Sequence, residues 1–223
     1  NDTFYILPTG TYYLGSDISP EYTIKIENNV TLCLNGHKIT AADGMDAIYM
    51  TGGSFTLTDC KGVGTITHAS SKTGRGVYVS SGTFNMGGSI TGNKAQDAKG
   101  RGGGVYVYSG SGTFNMYGGS ITGNRATGDG GGVYKSGSNS SFNMYGGSIT
   151  GNTANSYGGG VYVGTGQFTM EGGNITGCQA LSGSFGRGGG VYNLGTFTMI
   201  GGIIEDDCTA SGSGGGVYNA KVL

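Results

Sequence analysis

Residues 102–126 read GGGVYVYSGSGTFNMYGGSITGNRA, and the same phrase returns on both sides of them. The valine after the glycines recurs at Val77, Val105, Val133, Val161, Val191 and Val217, five intervals that span 140 residues with a mean of 28. A fixed period of this size is the signature of a repeat architecture. Within the unit, Thr113-Phe114-Asn115-Met116-Tyr117 alternates polar and apolar residues, as do the segments at 83–86, 141–145, 167–170 and 196–199. A period of two is a strand. Ser120-Ile121-Thr122 sets one apolar residue between two hydroxyls and returns at 89–91, 148–150 and 174–176. Glycines and Gly-Asn pairs separate the segments as turn formers.

Each unit therefore offers three short strands and three corners, too short for a helix-crossed sheet. The pattern predicts an all-β parallel β-helix with one unit per coil, each strand pairing with its copy in the next coil at roughly 4.8 Å. Stacked columns of Val105, Phe114, Met116 and Ile121 with their equivalents form the expected core. The 51 glycines in 223 residues fall at fixed repeat positions between these anchors, which separates the chain from a disordered glycine-rich segment.

Residues 1–22 hold both prolines, Pro8 and Pro20, and read as a cap over the first coil's open edge. First strands from Ile24 to Val217 number eight, so residues 23–223 hold seven complete coils and a truncated eighth. At roughly 4.8 Å per coil the coiled part is about 35 Å long. The unfinished C-terminal coil points to end-to-end packing or to further chain.

With 11% charged residues, a formal net charge of −1 and no basic cluster, the composition argues against nucleic acid and anionic lipid as partners. No apolar run approaches the ~18 to 20 residues of a membrane helix, so no membrane insertion by this segment is expected. Asn1-Asp2-Thr3 lacks the basic and apolar regions of a signal peptide. A mature or excised piece of a secreted protein fits that composition.

Ile90-Thr91-Gly92-Asn93, with its copies ending at Asn124 and Asn152, is followed two residues later by alanine and then by glycines and valine. This resembles the FxxN and GGA(I/L/V) pair of polymorphic outer-membrane proteins and related surface adhesins, with Ile for Phe and Gly for Ala. Val30-Thr31-Leu32-Cys33-Leu34-Asn35-Gly36 is similar to the opening of right-handed parallel β-helix proteins of bacterial cell surfaces. The resemblance covers about residues 24–219. It implies a right-handed helix, secretion to a bacterial surface and adhesion; it carries over no binding residue.

Asn93, Asn124 and Asn152 read as structural: a corner asparagine adopts a left-handed conformation and hydrogen-bonds its stacked neighbours. Aligning Cys178-Gln179-Ala180 with Cys208-Thr209-Ala210 puts Cys178 and Cys208 in one column within disulfide reach. Cys33 and Cys60 are offset by two residues and align less well. Without a CxxC pair or Cys/His spacing, no metal or other cofactor is expected.

Three functional classes follow. Tyr78, Tyr106, Tyr134, Tyr162 and Tyr192, flanked by Tyr49 and Tyr218, each follow an inward valine, so alternation predicts a stripe of rings on one outer face. Such a stripe suits recognition of a host glycan or surface protein. The second class is a polysaccharide-cleaving enzyme, which needs clustered carboxylates. The candidates are Asp43 with Asp46, Glu205-Asp206-Asp207, Asp97 and Asp129, all on corners, and they read as solvated turn acids. His37 and His68 lie apart. The third class is ice binding through the hydroxyl pairs Thr65/Thr67, Ser89/Thr91, Ser120/Thr122 and Ser148/Thr150.

Overall fold

A strand of three or four residues cannot bury an apolar face alone, and this chain solves the problem by stacking copies. The computed structural model describes residues 3–97, 100–108, 110–205 and 207–220. The protein is a right-handed parallel β-helix of about seven turns. One coil runs through Val105–Val107, Thr113–Met116, Ser120–Thr122 and Arg125–Ala126. The first two limbs contribute to a 15-stranded sheet, the third to a seven-stranded sheet, and the fourth, a two-residue limb, to a five-stranded sheet.

Register places like on like. Val105 pairs with Val77 and Val133, Phe114 with Phe84 and Phe142, Ile121 with Ile90 and Ile149, and Ala126 with Ala95 and Ala154. Val105, Val107, Phe114, Met116, Ile121 and Ala126 are all fully buried. The six stacked phenylalanines from Phe55 to Phe197 have ring centroids 4.5–5.5 Å apart, nearly parallel. Burying each such side chain contributes roughly 1.5–3 kcal/mol before chain entropy is set against it.

Inside one corner runs a polar column. Asn93 Nδ2 donates to Asn124 Oδ1 at 2.9 Å and Asn124 Nδ2 to Asn152 Oδ1 at 3.0 Å. Each amide also donates to an isoleucine carbonyl in the preceding coil, Ile66, Ile90 and Ile121 in turn. The asparagines are structural, but they are not left-handed: Gly92, Gly123 and Gly151 before them take that conformation, with φ of 62–64°. This lets the amides point inward, buried to 1% exposure or less. His68 starts the column, its Nδ1 2.7 Å from Asn93 Oδ1 and its Nε2 2.8 Å from the Met45 carbonyl.

Cys178 and Cys208 extend the same column, and the expected bridge between them is absent. Both are buried free thiols, donating to the carbonyls of Ile149 and Ile175 at 3.5 and 3.6 Å. Stacked side chains in one column run parallel, whereas a disulfide needs convergent ones. Contact with the Cys208 thiol, and then burial, push the Cys178 thiol well above its usual range. The disulfide is Cys33–Cys60, with Cα atoms 6.4 Å apart. Cys33 pairs in register with Thr58, so Cys60 lies two residues beyond on the turn. That offset lets the two side chains approach from different columns.

The N-terminal segment follows the path of the helix as a shortened coil. Tyr5–Ile6 pairs in parallel with Ile24 and Lys25, Gly10–Tyr13 with Val30–Cys33, and Ile18 bridges Ile39. Leu7, Tyr12, Leu14 and Ile18 pack on the core. At the other end the inward residues Met199 and Val217 are exposed.

Candidate functional site

The tyrosine stripe lies outside the main core, as alternation requires, yet it is not an open face. Tyr106, Tyr134, Tyr162 and Tyr192 are only 4–8% exposed and form a second apolar cluster with Tyr78, Tyr157 and Tyr218. Ring centroids from Tyr49 to Tyr218 follow at 4.7–5.5 Å. The cover comes from the corner before each valine. Gly130, at φ 67°, folds so close that a Cβ would stand 2.8 Å from Tyr134 Cβ. Arg101 lies over Tyr134 with Cζ 5.0 Å from the centroid, Arg187 over Tyr218 at 5.0 Å, and Tyr157 stacks on Tyr192 at 4.6 Å. Burial raises the phenol of Tyr106 to about 12 and pushes Tyr162 further up. Alternation predicted the side of the sheet correctly; it carried no information about the cover.

The corner carboxylates are engaged in clasps. Arg75 binds Asp46 at 3.3 Å and also Asp97. Arg101 meets Asp129 at 3.4 Å. Asp43 accepts the Thr73 amide at 2.9 Å, which, ahead of the nearby Lys72, holds its carboxyl below the ordinary range. Asp207 accepts from the Gly177 amide and the Thr176 hydroxyl at 2.7 and 2.8 Å, and Glu205 lies 3.4 Å from that same hydroxyl. Asp206 lies outside the described residues. Among the described residues no group of three or more His, Cys, Asp or Glu is placed to hold a metal ion.

The hydroxyl pairs do line one sheet. Thr40 pairs with Thr67, and Thr91, Thr122, Thr150 and Thr176 follow in register. Several of the hydroxyls bond to one another, as Ser120 to Ser89 at 3.1 Å and Thr65 to Thr91 at 3.0 Å.

A different surface carries open aromatic rings. Tyr117 and Tyr145 are 58% and 41% exposed, with centroids 5.0 Å apart and planes 8° from parallel. Each follows the inward methionine of its second limb, so parity turns it outward beside Asn115 and Asn143. Those amides form a chain of their own: Asn143 donates to Asn115 at 2.9 Å and Asn115 to Asn85 at 3.0 Å. The outer column beyond them is Thr83, Thr113, Ser141 and Gln167. At that border opens a depression of about 660 Å³ whose walls include Asn139, Ser141, Thr165, Gln167 and Thr196. From Asn85 to Gln167 these columns are uncharged.

Beneath the depression sits a residue that the sequence reading passed over. Lys135 takes the inward position that Val79, Val107 and Val163 hold in other coils, and it is fully buried. Its Nζ donates to the carbonyls of Gly137, at 3.0 Å, and Thr165. Desolvation lowers its pKa to about 8. The signal was GGGVYK against GGGVYV, visible once the repeats are aligned.

No family model matches the chain, and no curated protein or solved structure matches it significantly.

Proposed function

We propose that this domain is an extracellular binding scaffold of a bacterial surface protein and that it recognises a neutral glycan with the outer face of its second limb. The observation that carries the reading is the exposed, stacked Tyr117–Tyr145 pair set beside a hydrogen-bonded amide chain. Rings with polar tips combine apolar area with hydrogen-bonding edges, and two χ angles cost little entropy on ordering. The amides of three successive coils, continued by Thr56 and Thr169 on either side, offer donors and acceptors to a polymer laid along the axis. The amide and hydroxyl columns beside the rings carry no charge, which suits a neutral ligand; the one carboxylate next to the pair is Glu171, which follows Tyr145 in the ring column. The Cys33–Cys60 disulfide supports an oxidising, extracytoplasmic setting, and the resemblance to surface adhesins agrees with it.

The test is electrophoresis through gels that contain soluble neutral polysaccharides. Wild-type protein is retarded by at least one of them, and Tyr117→Ala with Tyr145→Ala restores free migration. Equal retardation of the wild type and the double variant, or none of the wild type by any neutral polysaccharide, overturns the reading.

A further inference from the structure

Arginines cover the tyrosine ladder in three coils: Arg75 stands two residues before Val77, and Arg101 and Arg187 four residues before Val105 and Val191, a position that Asp129 and Tyr157 take in the coils between. Arg75 Cζ lies 5.6 Å from the Tyr78 centroid and 4.8 Å from that of Tyr106, and Arg101 and Arg187 stand 5.0 Å from Tyr134 and Tyr218. One coil before Arg75 the corresponding residue is Asp46, since Ile48 pairs with Val77. At this rung the fold supplies a carboxylate in place of a guanidinium.

Beside Asp46 opens a depression of about 290 Å³ walled by Phe4, Tyr49 and Tyr78. Tyr49 lies 4.9 Å from Tyr78 and 6.0 Å from Phe4, centroid to centroid, so three ring surfaces meet there. Among the described residues the nearby charges leave an excess of one negative: Asp46 and Asp97 share Arg75, while Asp43 is paired with Lys72. Lys25, 5.8 Å from the Phe4 centroid, is paired with Glu27 at 2.8 Å and adds no net charge. Ring faces and an under-compensated carboxylate both attract a cation. The three ring faces present apolar, electron-rich area that methyl groups on a quaternary nitrogen can cover, which favours such a cation.

We propose that this depression binds a trimethylammonium group, whether carried by a choline-type head or by a trimethylated lysine. The site lies at the N-terminal end of the ladder, away from the Tyr117–Tyr145 face, and the proposal does not depend on glycan binding.

Titration of the full chain with choline, followed by amide shifts, tests it against 3,3-dimethylbutanol, which replaces the charged nitrogen with carbon. Choline is expected to give saturable shifts at Asp46, Tyr49 and Tyr78, and the neutral analogue to bind about tenfold more weakly. Tyr49→Leu should abolish the shifts at Asp46 and Tyr78, and trimethyllysine amide in a parallel titration identifies the preferred carrier. Equal binding of choline and its neutral analogue, or no shift at these residues, overturns the proposal. That comparison uses wild-type protein, so it decides even if Tyr49→Leu does not fold.

Discussion

The same residue plays two parts in this molecule. In the ladder, tyrosines stack at 4.7–5.5 Å beneath a cover of glycine backbone and arginine; at the opposite end of the second limb, Tyr117 and Tyr145 stack at 5.0 Å in the open. Ring spacing is alike in both, although Tyr106 and Tyr134 are tilted by 59° where Tyr117 and Tyr145 lie 8° from parallel, so spacing cannot mark function. What differs is the corner beside the ring. The run Gly-Gly-Gly-Val folds its first glycine back over the ladder, whereas nothing lies within 4 Å of a Cβ built on Gly118, which follows Tyr117.

Removing rings should separate the regions most strongly. Tyr134→Ala takes a nearly buried ring out of a continuous stack and is expected to cost about 3–5 kcal/mol in urea unfolding. Tyr117→Ala should stay within about 0.5 kcal/mol of wild type, as exposed positions do. Comparable losses would mean that the exposed pair is also scaffold.

The glycines beside the rings give the next largest effect. Gly130→Ala places a methyl where φ is 67° and the Val133 carbonyl would lie 2.6 Å away, so a loss of roughly 1–3 kcal/mol is expected. Gly118→Ala meets no neighbour and should be neutral or slightly stabilising. Thermal melts of the two variants check this.

Alkaline pH should then loosen the ladder. Its buried phenols titrate above their ordinary value of about 10, so their stabilisation is complete below that pH. It is lost as pH rises through the folded value, about 12 for Tyr106. Melting temperature should fall between pH 10 and 12, and Tyr106→Phe should reduce the fall.

Lys135, next to ladder residue Tyr134, gives the smallest effect and the opposite slope. Its folded pKa, about 8, lies below that of the unfolded chain, which therefore binds more protons above pH 8, and stability rises with pH there. Lys135→Val should be more stable than wild type by about 1 kcal/mol at neutral pH, and the gap should narrow between pH 8 and 10. A gap independent of pH would show that Lys135 keeps its proton in the folded protein across this range, with a pKa that burial has not lowered.

The fold was legible because its signal is redundant: Val105, Phe114, Met116 and Ile121 each recur in register, and a parallel stack is the arrangement that buries every copy. The site was less so. Parity put Tyr106 outside the core correctly, but its cover comes from Arg75 and Gly102 in the folded-back corner, a contact that no period records. Column alignment likewise favoured Cys178 with Cys208, while the bond forms between Cys33 and Cys60, whose turn residues depart from the column. The outward parity of Tyr117 was readable; its exposure depends on the open corner at Gly118.

Whether recognition uses the uncovered pair and not the ladder is decided by amide shift mapping with a soluble polysaccharide that retards the protein in gels. Shifts are expected at Tyr117, Tyr145, Asn115 and Asn143, with the ladder from Tyr78 to Tyr192 unmoved. Shifts concentrated on Tyr106, Tyr134 and Tyr162, with Tyr117 and Tyr145 unchanged, would contradict recognition by the uncovered pair.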